Sequence, residues 1–105
     1  MTPAQVIDEI RLRIARAAPA DSRVVLFGSR AREQAEDGSD YDVLVIEPEV
    51  KDAAREAVRL RQELADVLAP IDVVVVDREV ARRRATVRGT LVERALREGR
   101  VLAET

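Results

Sequence analysis

Three groups of residues have the types and spacing to do chemistry. Gly28-Ser29 interrupts an apolar run, Asp40 and Asp42 stand two residues apart, and Asp72 is the lone acid in the run Ile71 to Val76. Glycine lets a backbone turn tightly and come close to a ligand. A helix opening directly after that turn would present unpaired N–H groups and a positive dipole end to a phosphate, with the Ser29 hydroxyl as a further donor. Arg30 and Arg32 bring positive charge to the same turn. In an extended segment side chains alternate, so Asp40 and Asp42 share a face while Tyr41 points the other way. Two carboxylates so placed repel each other, and a divalent cation between them relieves the repulsion. A carboxylate opening an apolar strand, as Asp72 does, is costly unless it is paired, hydrogen-bonded or metal-bound. Each feature alone also has an ordinary reading: a structural turn, a solvated strand start, an exposed strand end. Together they have the parts for in-line nucleotidyl transfer, three carboxylates able to hold two Mg²⁺ with a triphosphate bridging them.

Composition removes the competing chemistries. The chain has no cysteine and no histidine, so disulfides, Cys/His zinc sites, cysteine nucleophiles and Ser-His-Asp triads are all excluded. Any metal must be held by oxygen, which points to Mg²⁺ or Mn²⁺. Aromatics make up 2% of residues, and Phe27 and Tyr41 both sit in strand-like runs. No base-stacking platform is expected. Charged residues reach 36% but the net charge is only -2, so no basic excess drives direct nucleic-acid binding. No signal peptide is evident, and no run approaches the ~18 apolar residues of a membrane span, so a soluble, cytoplasmic protein is expected.

The elements that must position these residues read as α-β-α-β-α-β-α in a single domain over residues 1–105. Thr2-Pro3-Ala4-Gln5 opens a helix with a capping box, and Val6, Ile7, Ile10 and Ile14 carry it to residue 17. Strands are predicted over 23–27, 41–46 and 71–76, the last apolar on both faces and therefore expected in the sheet centre. A short helix is predicted over 30–34 and a longer one over 51–68, with Ala57, Leu60, Leu64, Val67 and Leu68 on its buried face. Asp77 is placed to cap a helical stretch over 78–98 that breaks near Gly89, and Val101-Leu102 adds a short extended segment. The fold class is α/β (α+β), a small mixed β-sheet with flanking helices. If the third strand pairs with the second, Asp72 lands beside Asp40 and Asp42.

The run Leu26-Phe27-Gly28-Ser29-Arg30-Ala31-Arg32, ten residues from Ser29 to Asp40, then Gly38-Ser39-Asp40-Tyr41-Asp42-Val43-Leu44-Val45 and a later Asp72, resembles the minimal nucleotidyltransferase (MNT) branch of the DNA polymerase β-like nucleotidyltransferase superfamily. The resemblance covers at least residues 23–76, and the tail from Ala95 to Leu102 is similar too. Glu33 is a departure, since the family often has Gly there. The resemblance implies the polymerase-β-like fold and a set of roles. Asp40, Asp42 and Asp72 would be the catalytic metal ligands for two Mg²⁺, with ATP as substrate. Gly28, Ser29, Arg30, Arg32 and Ser39 would bind the nucleotide, and Asp72 would help deprotonate the acceptor hydroxyl. Family members of this size resemble antitoxins encoded beside a helical HEPN ribonuclease toxin, transferring AMP from ATP to a hydroxyl of that partner in a homo- or hetero-oligomeric assembly. The alternative from a different class is an antitoxin that neutralises the HEPN partner by binding alone.

Overall fold

The computed structural model describes all of residues 1–105. Helix α1 spans Pro3–Ala17. It starts where the capping box demands, Thr2 Oγ1 accepting from Gln5 N–H and Gln5 Oε1 accepting from Thr2 N–H, and it buries Val6, Ile10 and Ile14. Strands β1 (Arg23–Phe27) and β2 (Tyr41–Glu47) follow, then helix α2 (Ala53–Gln62), capped by Asp52. Strand β3 (Ile71–Asp77) passes directly into helix α3 (Arg78–Arg84), whose first turn is capped by the Asp77 carboxylate accepting from Val80 N–H. Gly89 turns the chain at φ +89, Thr90 caps helix α4 (Leu91–Glu98), and strand β4 (Arg100–Glu104) closes the fold.

The four strands form one mixed sheet in the order β3-β2-β1-β4. β1 runs antiparallel to both β2 and β4, whereas β2 and β3 are parallel, with α2 in the connection between them. Side chains alternate along each strand and divide the interior in two. Tyr41, Val43 and Val45 of β2, with Val24 and Leu26, pack against Ile10 and Ile14 of α1 and Leu60 of α2. On the other face Val25, Phe27, Leu44 and Val76 pack against Ala81 of α3 and Val92 and Ala95 of α4. The result is a sheet between two helical layers. No helix is long and apolar enough to cross a membrane.

Four sequence-based expectations need correction. The third strand lies at an edge of the sheet, and β2 with β1 occupies the centre. Being apolar on both faces reports that helices cover both faces; it carries no information about lateral neighbours. The helix expected to Leu68 ends at Gln62 and continues as turns, so Leu64 and Val67 are buried as expected while Leu68 is 97% exposed. The expected helix over Arg30–Gln34 is a single turn, closed by Ala31 and Arg32 N–H on Gly28 O and Gln34 N–H on Ser29 O. Glu33, at φ 57, takes the left-handed conformation that stops it from propagating. The final extended segment is a full five-residue strand, longer than Val101-Leu102.

Candidate active site

The site is built at the end of the sheet where β1 finishes and β2 and β3 begin. Tyr41 N–H donates to Pro70 O at 2.8 Å and fixes the parallel register there, so that Asp42 and Asp72 are direct cross-strand partners. Asp42 is also the partner of Phe27 across β1. Asp40 precedes Asp42 by two residues, just before the strand begins. Asp42 and Asp72 therefore belong to the even-numbered face, the one covered by α3 and α4, and Asp40 lies near enough for its charge to act on Asp42. Asp40 and Asp72 are exposed and Asp42 is half-buried. Burial pushes the Asp42 carboxyl above the usual carboxylate range, the negative charges of Asp72 and Asp40 push it further, and Arg94 and Arg32 partly oppose them.

Gly28 completes the arrangement. Its φ is +73, and a Cβ at this position would overlap the Asp42 carboxylate, so only glycine lets the turn lie against that acid. The backbone N–H groups of Ser29 and Arg30 have no acceptor in the chain, and they follow directly on the glycine. With one turn in place of a helix, these two adjacent N–H groups are the donors that the turn leaves free for an anion.

The predicted nucleotide-binding arginines are otherwise engaged. Arg30 donates to Ser39 O through Nε and Nη2, at 3.3 and 3.1 Å, and its guanidinium lies 4.3 Å from the centroid of the Tyr41 ring. Arg32 reaches Glu98 of α4 at 2.9 Å and Gln34 at 3.1 Å. Ser39 Oγ accepts from Glu36 N–H and its N–H donates to Glu36 O. Arg30 and Ser39 thus hold the connection from β1 to β2 in shape beside the carboxylates.

The donor set fits a hard divalent cation: three carboxylates whose charges act on one another, with no histidine or cysteine in the chain to offer a softer ligand. As placed, no three acidic side chains stand close enough to enclose a metal ion by themselves. Phosphate oxygens and water would have to complete the coordination, as is usual for Mg²⁺. A shallow groove of about 510 Å³, lined by Ala57, Val58 and Val73, runs alongside Asp72.

A nucleotidyltransferase domain model matches residues 7–101. The chain belongs to the nucleotidyltransferase domain family. Three solved structures show this nucleotidyltransferase fold in other proteins. A toxin–antitoxin crystal structure with AMP-PNP is 22% identical, covers 94% of this chain and 73% of the other, and superposes with a TM-score of 0.65. A candidate nucleotidyltransferase of Sulfolobus solfataricus is 20% identical over 95% of this chain and 78% of the other, with a TM-score of 0.64. A mutant of the MntA-HpeT toxin–antitoxin is 19% identical over 100% of this chain and 75% of the other, with a TM-score of 0.60. No curated protein matches the chain.

Two residues of this nucleotidyltransferase stand out in the structure but are not singled out in the sequence. Arg94 on α4 acts on Asp42 from a distance of some 50 residues in the chain, and nothing local marks it. Glu47, at the opposite end of β2, is 2% exposed, and burial followed by a hydrogen bond to Glu56 raises its pKa from 4.5 to about 8. It lines a concavity of about 750 Å³ with Glu56 and Arg59, at the opposite end of β2 from Asp42. The same reasoning that marks Asp72, an acid bordering an apolar strand, could have marked Glu47, which closes the run Val43 to Ile46.

Proposed function

We propose that this nucleotidyltransferase transfers AMP from ATP to a hydroxyl on a partner protein, and that it acts in the cytoplasm as the antitoxin of a HEPN toxin. The observation that carries the reading is the register pairing of Asp42 with Asp72 beside the Gly28 turn. Asp40 and Asp42 would hold two Mg²⁺, with Asp72 as a ligand of one of them. Bound Mg²⁺ would neutralise phosphate charge and favour departure of pyrophosphate. The N–H groups of Ser29 and Arg30 would cradle the β- and γ-phosphates, with the Ser29 hydroxyl beside them. In the transfer, the acceptor oxygen forms a bond to the α-phosphorus as the bond from that phosphorus to the bridging oxygen breaks. Pyrophosphate leaves with the electron pair, and the acceptor proton passes to the Asp72 carboxylate.

The partner is inferred from two toxin–antitoxin neighbours and from the sequence resemblance. One observation favours the second reading, neutralisation by binding alone: the three carboxylates do not close into a metal cage unaided. Incubation with α-labelled ATP, Mg²⁺ and the partner separates the two. Transfer to the partner that disappears in Asp40→Ala/Asp42→Ala supports catalysis. Neutralisation without label transfer supports binding alone.

A further inference from the structure

The arginines closest in sequence to the Gly28 turn are tied down. Arg30 is held by Ser39 O and Tyr41, and Arg32 by Glu98 and Gln34. A triphosphate nevertheless carries charge that two backbone N–H groups and cations on one side leave unmatched at its outer end. A positive group is needed opposite the turn, on the face that the carboxylates share.

Helix α4 supplies one, and its orientation follows from three contacts. Val92 and Ala95 are buried against Phe27 and Leu44, so the helix lies over the face carrying Asp42 and Asp72. Leu96 lines a cavity of about 510 Å³ with Ser22 and Ile46, at the sheet end remote from Gly28. Glu98 meets Arg32 at 2.9 Å, at the near end. At about 100° per residue, positions 94 and 98 lie roughly 40° apart on the helix, and position 96 lies roughly 160° from either. Arg94 therefore lies on the Glu98 side of the helix, exposed at its outer edge, from where its charge reaches Asp42. It is exposed, and its guanidinium takes part in none of the chain's ion pairs or hydrogen bonds, unlike Arg97 one turn on, which is held by Glu93 at 2.9 Å.

We propose that Arg94 binds the β- and γ-phosphates of the nucleoside triphosphate, closing the site from the α4 side opposite the Gly28 turn. The inference rests on the nucleotidyl-transfer reading. It makes α4 part of the nucleotide site. Arg94 lies outside the run of residues that carries the family resemblance most clearly.

The test is calorimetric titration of the whole chain with MgATP, comparing wild type, Arg94→Gln and Arg94→Lys, alongside melting of each without nucleotide. Loss of one charge-assisted contact to phosphate should weaken Arg94→Gln by roughly 10- to 100-fold. Arg94→Lys should recover part of the loss, and all three nucleotide-free proteins should melt within a degree or two of one another, because the side chain makes no ion pair or hydrogen bond and acts on Asp42 only through a longer-range charge interaction. Arg94→Gln binding MgATP as wild type does would overturn the assignment and leave the reaction intact. A lysine variant no better than glutamine, or a fall in nucleotide-free melting that parallels the weaker binding, would also overturn it, the latter by showing a structural role. Failure of wild type itself to bind MgATP would instead remove the nucleotidyl-transfer reading on which the inference stands.

Discussion

Replacing Glu47 by Gln should change how stability depends on pH while leaving the fold intact. Glu47 is 2% exposed and its carboxyl faces Glu56, which is itself held by Arg59 at 2.7 Å. Burial and the Glu56 contact raise its pKa from 4.5 to about 8, whereas Arg59 lowers that of Glu56. In the unfolded chain both acids ionise near 4.5. From there to about pH 8 the folded state holds one proton that the unfolded state does not, so folding loses stability at up to ~1.4 kcal/mol per pH unit. The stabilisation by protonated Glu47 is fully present below about 4.5 and is gone once pH has risen through 8. Over the whole window the cumulative loss is on the order of 5 kcal/mol, large beside the 5–15 kcal/mol typical of a domain. The lowered Glu56 works in the opposite sense, stabilising above 4.5 and ceasing to do so as pH falls below it. Glutamine keeps the shape and a donor toward Glu56 but cannot ionise. Urea unfolding of wild type and Glu47→Gln at intervals from pH 5 to 9 should show the variant gaining on wild type steadily up to about pH 8. A difference that stays constant across that range would refute the shared-proton account.

Other consequences are as specific. Gly28→Ala adds a methyl against the Asp42 carboxylate at a left-handed position, and should cost about 1–3 kcal/mol in thermal or urea unfolding and weaken MgATP binding together. Glu33→Gly removes a non-glycine residue from φ 57 and should stabilise the chain by up to ~1 kcal/mol, part of the gain being returned through the more flexible unfolded state; a loss of stability would contradict the strain argument. Arg30→Met should lower the melting temperature of the nucleotide-free chain, at a cost of about 1–2 kcal/mol, because it removes the bonds to Ser39 O and the contact with Tyr41. If only nucleotide affinity changed, Arg30 would be a direct ligand instead of a brace.

Much of this molecule is legible in its sequence because local physics and tertiary structure agree. The capping box at Thr2 and Gln5, the period of Val6, Ile10 and Ile14, and the β-branched runs each specify an element, and the structure has them where expected. The pairing of Asp42 with Asp72 also followed, given one assumption about which strands are neighbours. What could not be read depends on neighbours distant in sequence. The edge position of β3 is invisible because Val73 to Val76 meet helices on both faces whichever strand lies beside them. The turn after Gly28 looks helical by composition, and only the left-handed Glu33 shows why it stops. Arg30 and Arg32 look equally available to a phosphate until Tyr41, Ser39 and Glu98 are seen to hold them. Arg94 is the reverse case, an unremarkable helix residue placed over the site only by the packing of Val92 and Ala95.

Thermal unfolding of wild type and Asp42→Asn, each with and without MgATP, tests the central claim most directly. In wild type, MgATP at about 100 times its Kd should add ~2.7 kcal/mol, a rise of roughly 10 °C or more for a chain of this size. Without nucleotide, Asp42→Asn should melt above wild type, since it removes a half-buried charge facing Asp72 and Asp40, and MgATP should then no longer raise its melting temperature. A variant that melts no higher than wild type and still responds fully to MgATP would show that the carboxylates do not form the nucleotide–metal site.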